Sequence, residues 1–374
     1  MPVRPPLRPR PGRLRDRAAA AGPRPADRRR PRLPLPRRAG RGARMRTIDA
    51  PVRDPLLRVD GLVVEYPTSD GTVHAVSGAT FEVGGGETLG IVGESGSGKS
   101  TLLRAMLRLT PHRGGSVRHG DTVLTDLDEK RMRPLRPSLQ MIMQDPIASL
   151  NPRRRVRDIV AEGLRMWPDR VVTSVGQQVA EGLDAVGMDI GTVGDRRPGS
   201  FSGGQCQRIA IARALALRPD VLFCDEPVSA LDVSVQARVL NLIQDAKEAL
   251  GLTVLFVSHD LGVVKSVSDR VMVMYLGRIC EIAPVEAIYD APAHPYTNLL
   301  LSSAPGSRRP PVPDPTGETP SPLDPPSGCR FRTRCPLARD RCAAETPPLR
   351  DLPGGRSVAC HFPLDSENEA GATA

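Results

Sequence analysis

The 374-residue chain is long enough for one large domain or two medium ones, and with 39% hydrophobic but only 3% aromatic residues its core must be aliphatic. No run of about 18 apolar residues occurs and the N-terminus has no apolar h-region, so a transmembrane helix and a secretory signal are excluded and a cytosolic site is expected. The net charge of +10 looks like the mark of a nucleic-acid partner, but residues 1–44 hold fifteen arginines against two aspartates and leave the rest of the chain at −3, so no nucleic acid is expected.

Residues 1–44 form a Pro/Arg-rich leader without apolar periodicity, which reads as a solvated, disordered tail. Met45 opens MRTIDAPVRDPLLRVDGL, a second candidate for the start of translation. Residues 56–66 and 72–83 alternate apolar and polar and read as an antiparallel pair of strands. ETLGIVG is then a strand and KSTLLRAML a helix start. Between them stands Gly93-x-x-x-x-Gly98-Lys99-Ser100, the pattern of a phosphate-binding loop. Its glycines let backbone N–H groups turn toward an anion, and the helix that follows aims its positive end at the same place. Lys99 is placed to reach the β- and γ-phosphates, and Ser100 to ligate Mg²⁺. The loop residues Gly93, Glu94, Ser95, Gly96, Ser97, Gly98, Lys99, Ser100 and Thr101 are the expected triphosphate contacts.

SLQMIMQD (138–145) is a short apolar strand with Gln144 at its end, placed to sense Mg²⁺ or water. Residues 153–200 read mostly as helices, with apolar residues at i, i+3 and i+4 in VRDIVAEGLRM and VGQQVAEGLDAVGM. SFSGGQCQRIAIARALALRP is a helix with a Ser-Gly-Gly start and a proline stop. DVLFCDEP is a buried strand that closes on Asp225 and Glu226, a pattern in which Asp225 holds Mg²⁺ and Glu226 deprotonates the attacking water. A helix over VSVQARVLNLIQDAKEAL follows, then the buried strand LTVLFVSHD, which delivers His259 to the same edge. DRVMVMYLGRICEIA reads as a hairpin about Leu276-Gly277. Buried strands alternating with helices imply an α/β fold around a parallel sheet. From about residue 290 proline becomes dense and a separate C-terminal segment begins.

Ser202, Gly203, Gly204 and Gln205 begin a helix and so form a second anion-binding terminus. Two phosphate-binding termini but a single catalytic strand point to a head-to-tail pair of chains, each completing the other's site. Tyr66 reads either as a ring stacked on a purine or as an ordinary edge-strand tyrosine.

The motifs GESGSGKST (93–101), MQDP (143–146), SGGQCQR (202–208), VLFCDEP (221–227), SALD (229–232) and SHD (258–260) stand in the order found in the ATP-binding cassette ATPases, and over residues 56–285 the chain resembles that family. One departure is Phe201, where the family usually has leucine; both are apolar and can pack under the helix start. The resemblance implies a P-loop NTPase core with a RecA-like parallel sheet, an antiparallel β subdomain and a helical subdomain at about 146–215, together spanning 54–290. It implies ATP and Mg²⁺ as cofactors, Tyr66 on the adenine, Gln144, Glu226, His259 and Lys99 as the catalytic set, and Asp232 in the loop that couples two sites. DPIASLNPRR (145–154), DEPVSALDVSVQARVLNLI (225–243), PAHPYTNLLLSSAP (292–305), GCRFRTRCPLARDRC (328–342) and VACH (358–361) look like the dipeptide, oligopeptide and nickel importer group. By that likeness residues 291–374 are a C-terminal extension. The chain is then expected at the cytoplasmic face of a membrane, with two permease subunits, a second ATPase subunit and, indirectly, an extracytoplasmic solute-binding protein. A soluble cassette ATPase acting on nucleic acid or ribosomes is the alternative, and the slightly acidic body argues against it.

Cys329, Cys335, Cys342 and Cys360 are spaced C-x5-C-x6-C-x17-C, unlike a common zinc pair, and lie among arginines. An iron–sulfur cluster, zinc and free thiols all remain open from the residues. The resemblance adds a [4Fe–4S] cluster, which some relatives of the importer group carry.

Overall fold

The computed structural model describes residues 55–229, 231–304, 309 and 319–364; the Arg-rich leader and Met45 lie outside the described residues. β1 (Pro55–Thr68) and β2 (Gly71–Gly84) pair antiparallel over nearly their whole lengths, as their alternation predicts. β4 (Gly114–His119) and β5 (Thr122–Val123) complete a four-stranded sheet of order β2-β1-β4-β5.

The second sheet holds β3 (Thr88–Val92), β6 (Leu139–Ile142), β7 (Val221–Asp225), β8 (Thr253–Val257), β9 (Arg270–Tyr275) and β10 (Arg278–Pro284), and its edge is extended by β11 (Arg350–Leu352) and β12 (Arg356–Val358). Its order is β11-β12-β10-β9-β3-β8-β7-β6. The pairs β9–β3, β3–β8, β8–β7 and β7–β6 are parallel, and β10 turns back antiparallel on β9.

Strands buried on both faces divide their side chains between two cores by their period of two. On β7, Leu222 and Cys224 face the helices Val156–Met166, Val175–Ala185 and Gly203–Leu215, while Val221 and Phe223 face the helix Lys99–Met106 and the antiparallel sheet. Val254 and Phe256 against Leu255 and Val257 repeat the division on β8. Each such apolar side chain stabilises the fold by about 1.5–3 kcal/mol. The sheet thereby becomes a rigid plate whose parallel strands end on one edge, where β3, β7 and β8 present their following loops.

The segment after residue 290 is tied to this plate rather than packed apart from it. β12 pairs with β10 through Glu281↔Val358 and Ile282↔Ser357. Glu281 is fully buried, and its carboxylate accepts the backbone N–H of Ala293 at 2.8 Å and of His294 at 2.9 Å. The His294 ring nitrogen Nδ1 then accepts the N–H of Tyr296 at 3.0 Å and caps the helix Pro295–Ser302, with Pro295 in the first turn where its missing donor costs nothing. The Tyr296 ring lies 4.6 Å from Tyr275 and 5.3 Å from Phe331, centroid to centroid. The HPYT sequence is therefore a cap, a helix start and an aromatic anchor in four residues. Among the described residues no helix is long and apolar enough to cross a membrane.

Candidate functional site

β3 delivers the loop 93–98 directly onto the helix Lys99–Met106. Gly93, Gly96 and Gly98 all take positive φ, at 153°, 76° and 99°. At Gly98 a Cβ would strike the Ala75 carbonyl, and at Gly93 the Met274 carbonyl, so β2 and β9 crowd the loop from both sides. Lys99 folds over the loop and donates to the carbonyls of Gly93 and Glu94, at 2.9 Å each, and to Ser97 Oγ at 3.3 Å. Burial pulls the Lys99 ammonium below its ordinary pKa, against the opposing carboxylates of Glu226, Asp225 and Glu94.

Asp225, fully buried at the end of β7, accepts a 2.6 Å hydrogen bond from Ser100 Oγ and lies 3.5 Å from Arg104. A hydroxyl and a carboxylate oxygen side by side are hard oxygen donors of the kind Mg²⁺ takes. The next residue, Glu226, has φ 48°, an uncommon conformation for a side chain of its size, and its N–H donates to Val257 O at 3.1 Å. Its Oε2 lies 3.2 Å from Gln144 Nε2 and 3.3 Å from His259 Nδ1. Three strand ends, from β6, β7 and β8, thus converge on one carboxylate oxygen.

Ser202 caps the helix Gly203–Leu215 in a reciprocal box: its Oγ accepts the Gln205 N–H, and Gln205 Oε1 accepts the Ser202 N–H at 2.9 Å. Ser202 and Gly203 are exposed. A Cβ on Gly204 would press into Val235, so this helix start is seated against the helix Val233–Leu250. Asp232 caps that second helix; the Ser234 hydroxyl and the Val235 N–H lower its pKa. Phe201 is partly buried, with the Arg196 guanidinium 4.4 Å over its ring. Tyr66 is half-buried on β1, opposite Val73.

The four late cysteines come together. Cys329, Cys335, Cys342 and Cys360 line one small cavity beside His294, Phe331 and Phe362. Burial pushes the Cys335 thiol up to about 11 and Cys360 up to about 12. They share a wall but are not set out as ligands: among the described residues no group of three or more His, Cys, Asp or Glu is arranged to hold a metal ion.

Sequence reasoning missed the residues that reach the phosphate loop from the far end of the chain. Glu94 N–H donates to the Tyr296 hydroxyl at 3.0 Å, and its carboxylate pairs with Arg334 at 2.9 Å. Arg334 lies 240 residues from Glu94, and no local pattern marks it.

The family model described as ABC transporter matches residues 76–229, and that described as the C-terminal region of oligopeptide/dipeptide transporters matches residues 280–342. The oligopeptide transport ATP-binding protein OppF of Escherichia coli is 44% identical over 331 residues, covering 82% of this chain and 96% of its own. The putative oligopeptide transport ATP-binding protein YkfD of Bacillus subtilis is 47% identical over 330 residues, covering 85% and 98%. The probable peptide ABC transporter ATP-binding protein y4tS of Sinorhizobium fredii is 45% identical over 324 residues, covering 82% and 90%. Among solved structures, the post-hydrolysis dimer of the ATP-binding cassette MJ0796 with ADP and Pi aligns at a TM-score of 0.56 and 26% identity, covering 61% of this chain and 98% of that one. The cbiO1 protein of Clostridium perfringens, part of the transporter complex cbiONQ, aligns at 0.56 and 28%, covering 64% and 92%.

Proposed function

The chain belongs to the ATP-binding cassette transporter family, and on that premise we propose that it is the ATP-hydrolysing subunit of an importer of short peptides. The observation that carries the reading is the convergence of Gln144, Glu226 and His259 at the end of the phosphate loop's own sheet. The peptide class rests on residues 280–342 and on the names of the 44–47% identical relatives.

In this reading the loop 93–101 holds the triphosphate, and Lys99 leaves its internal carbonyl partners for the β- and γ-phosphates. Tyr66 stacks on the adenine. Ser100, Asp225 and Gln144 would hold Mg²⁺, which would supply neutralisation of charge on the phosphates. Glu226 Oε2 accepts the proton of the attacking water, and His259 and Gln144 fix that oxygen's position. Ser202, Gly203, Gly204 and Gln205 form a helix start whose Gly203 and Gly204 N–H groups lie outside the capping box, a surface suited to the γ-phosphate held by a second ATPase subunit. MJ0796 was solved as a dimer, which supports the same pairing here. Asp232, at the foot of the packed helix pair, links the two sites.

Close to Gln144, Met143 and Ile147 are exposed, and Met166 follows on the helical layer. The helical insert at 153–200, near Gln144, is where a permease subunit docks, so that closure of the ATPase pair moves the membrane partners. The assembly then sits peripherally at the cytoplasmic face, and an extracytoplasmic binding protein supplies the solute.

Cys329, Cys335, Cys342 and Cys360 are the donor type of a [4Fe–4S] cluster and line one cavity, which supports that reading, although they do not stand at the spacing of ligands to one ion; such a cluster would cross-link the extension. Iron and sulfide analysis of anaerobically purified protein tests it, and zinc without sulfide would refute it. The transport reading is tested by reconstituting the full chain with candidate permeases in vesicles. Peptide-stimulated ATP hydrolysis is the expected result, and hydrolysis stimulated by nucleic acid instead would overturn it.

A further inference from the structure

The C-terminal extension holds the phosphate loop by one residue of that loop. Arg334 Nη1 donates to both carboxylate oxygens of Glu94, at 3.0 and 2.9 Å. Thr319 Oγ1 donates to Glu94 Oε2 at 3.1 Å, and the Tyr296 hydroxyl accepts the Glu94 backbone N–H at 3.0 Å. The side chains of Arg334 and Glu94 are 12% and 27% exposed, so solvent screens the pair only in part.

Arg334 sits on a tight turn. Backbone hydrogen bonds Arg332 N–H to Cys329 O, Arg334 N–H to Phe331 O and Cys335 N–H to Arg332 O close it. Two of the four cavity cysteines stand at its ends. Arg330, inside it, is anchored to the Leu276 carbonyl and to Ser77 Oγ. The residue that grips Glu94 thus shares one hydrogen-bonded turn with two cysteines of the cavity.

Charge gives that grip its consequence. Glu94 puts a carboxylate into the loop that must receive a polyanion, and its field is felt at Lys99. Paired with Arg334 the carboxylate is neutralised; unpaired, it repels the incoming phosphates. We propose that Arg334 is a positioning residue for ATP, which neutralises and orients Glu94 and so makes ATP affinity depend on the state of the cysteine-bounded turn. This rests on the reading of residues 93–101 as the ATP site.

The test measures Mg·ATP affinity by titration calorimetry on the full chain, as wild type, Arg334→Ala, Arg334→Lys, Glu94→Gln and the double variant Arg334→Ala/Glu94→Gln. Arg334→Ala is expected to weaken binding about fivefold or more, while Arg334→Lys stays close to wild type. The double variant is expected to return to within about twofold of Glu94→Gln alone, because the repelling charge is gone. Hydrogen–deuterium exchange over residues 328–336 should slow on ATP binding in wild type and not in Arg334→Ala. Wild-type affinity in Arg334→Ala would overturn the inference, and so would a double variant as weak as Arg334→Ala, since general misfolding would not be rescued by a second substitution. A wild-type chain that binds no ATP overturns the underlying reading instead, and is seen before any variant is made.

Discussion

Glu226 Oε2 and His259 Nδ1 lie 3.3 Å apart, brought together from the ends of neighbouring parallel strands. Glu226 holds this place with φ 48°, a conformation that costs about 1–3 kcal/mol and persists only where its surroundings enforce it. Strain here, at a carboxylate that also meets Gln144, fits a group whose position matters more than its comfort. Replacing His259 with Ala should lower single-turnover phosphate release on the order of 10²-fold, with ATP affinity nearly unchanged. A parallel loss of affinity would instead place His259 in binding.

Ser100 Oγ donates to Asp225 Oδ1 at 2.6 Å, so the two oxygens stand adjacent. Wild-type protein should bind ATP more tightly with Mg²⁺ than with a chelator, and the chelator should abolish hydrolysis. In Ser100→Ala the Mg²⁺-dependent gain should shrink by roughly tenfold, or about 1.4 kcal/mol. Nucleotide titrations with and without Mg²⁺ read this directly.

Gly96 and Gly98 separate backbone strain from crowding. Both have positive φ, but a Cβ at Gly96 meets nothing, whereas one at Gly98 strikes the Ala75 carbonyl on β2. Gly96→Ala should cost only the conformational term, about 1–2 kcal/mol. Gly98→Ala should cost more and lose ATP binding, because a strand must shift to accept it. Thermal unfolding paired with ATP titration distinguishes the two.

Glu281 is the peg on which the extension hangs. Glu281→Ala leaves the Ala293 and His294 N–H groups buried without an acceptor, at about 1–3 kcal/mol each. Glu281→Gln keeps one acceptor oxygen but turns an NH2 donor toward the other N–H, a loss partly offset because it no longer buries a charge, whose cost is visible in the raised pKa of the Glu281 carboxyl. Denaturant unfolding should therefore rank wild type above Gln, which leaves one N–H without an acceptor, and Gln above Ala, which leaves two.

The sheet was legible in the sequence wherever its strands are long or buried. VLFCD, TVLFV and RVMVMY stand out as apolar runs because both faces of each are covered. β11 and β12 are three residues each and largely polar, so backbone pairing places them and composition does not. The loop 93–101 and the carboxylates after β7 were legible because their chemistry is local. The hold of Arg334 and Tyr296 on Glu94 was not, since it arises only when the extension folds back over the sheet.

The central claim is that Glu226 is the base that spends a bound ATP. The measurement that tests it most directly is phosphate release by the assembled transporter at saturating Mg·ATP, wild type against Glu226→Gln, with bound nucleotide quantified in parallel. The account predicts a fall of at least about 10²-fold in release while ATP stays bound. Equal release from the two proteins would contradict it.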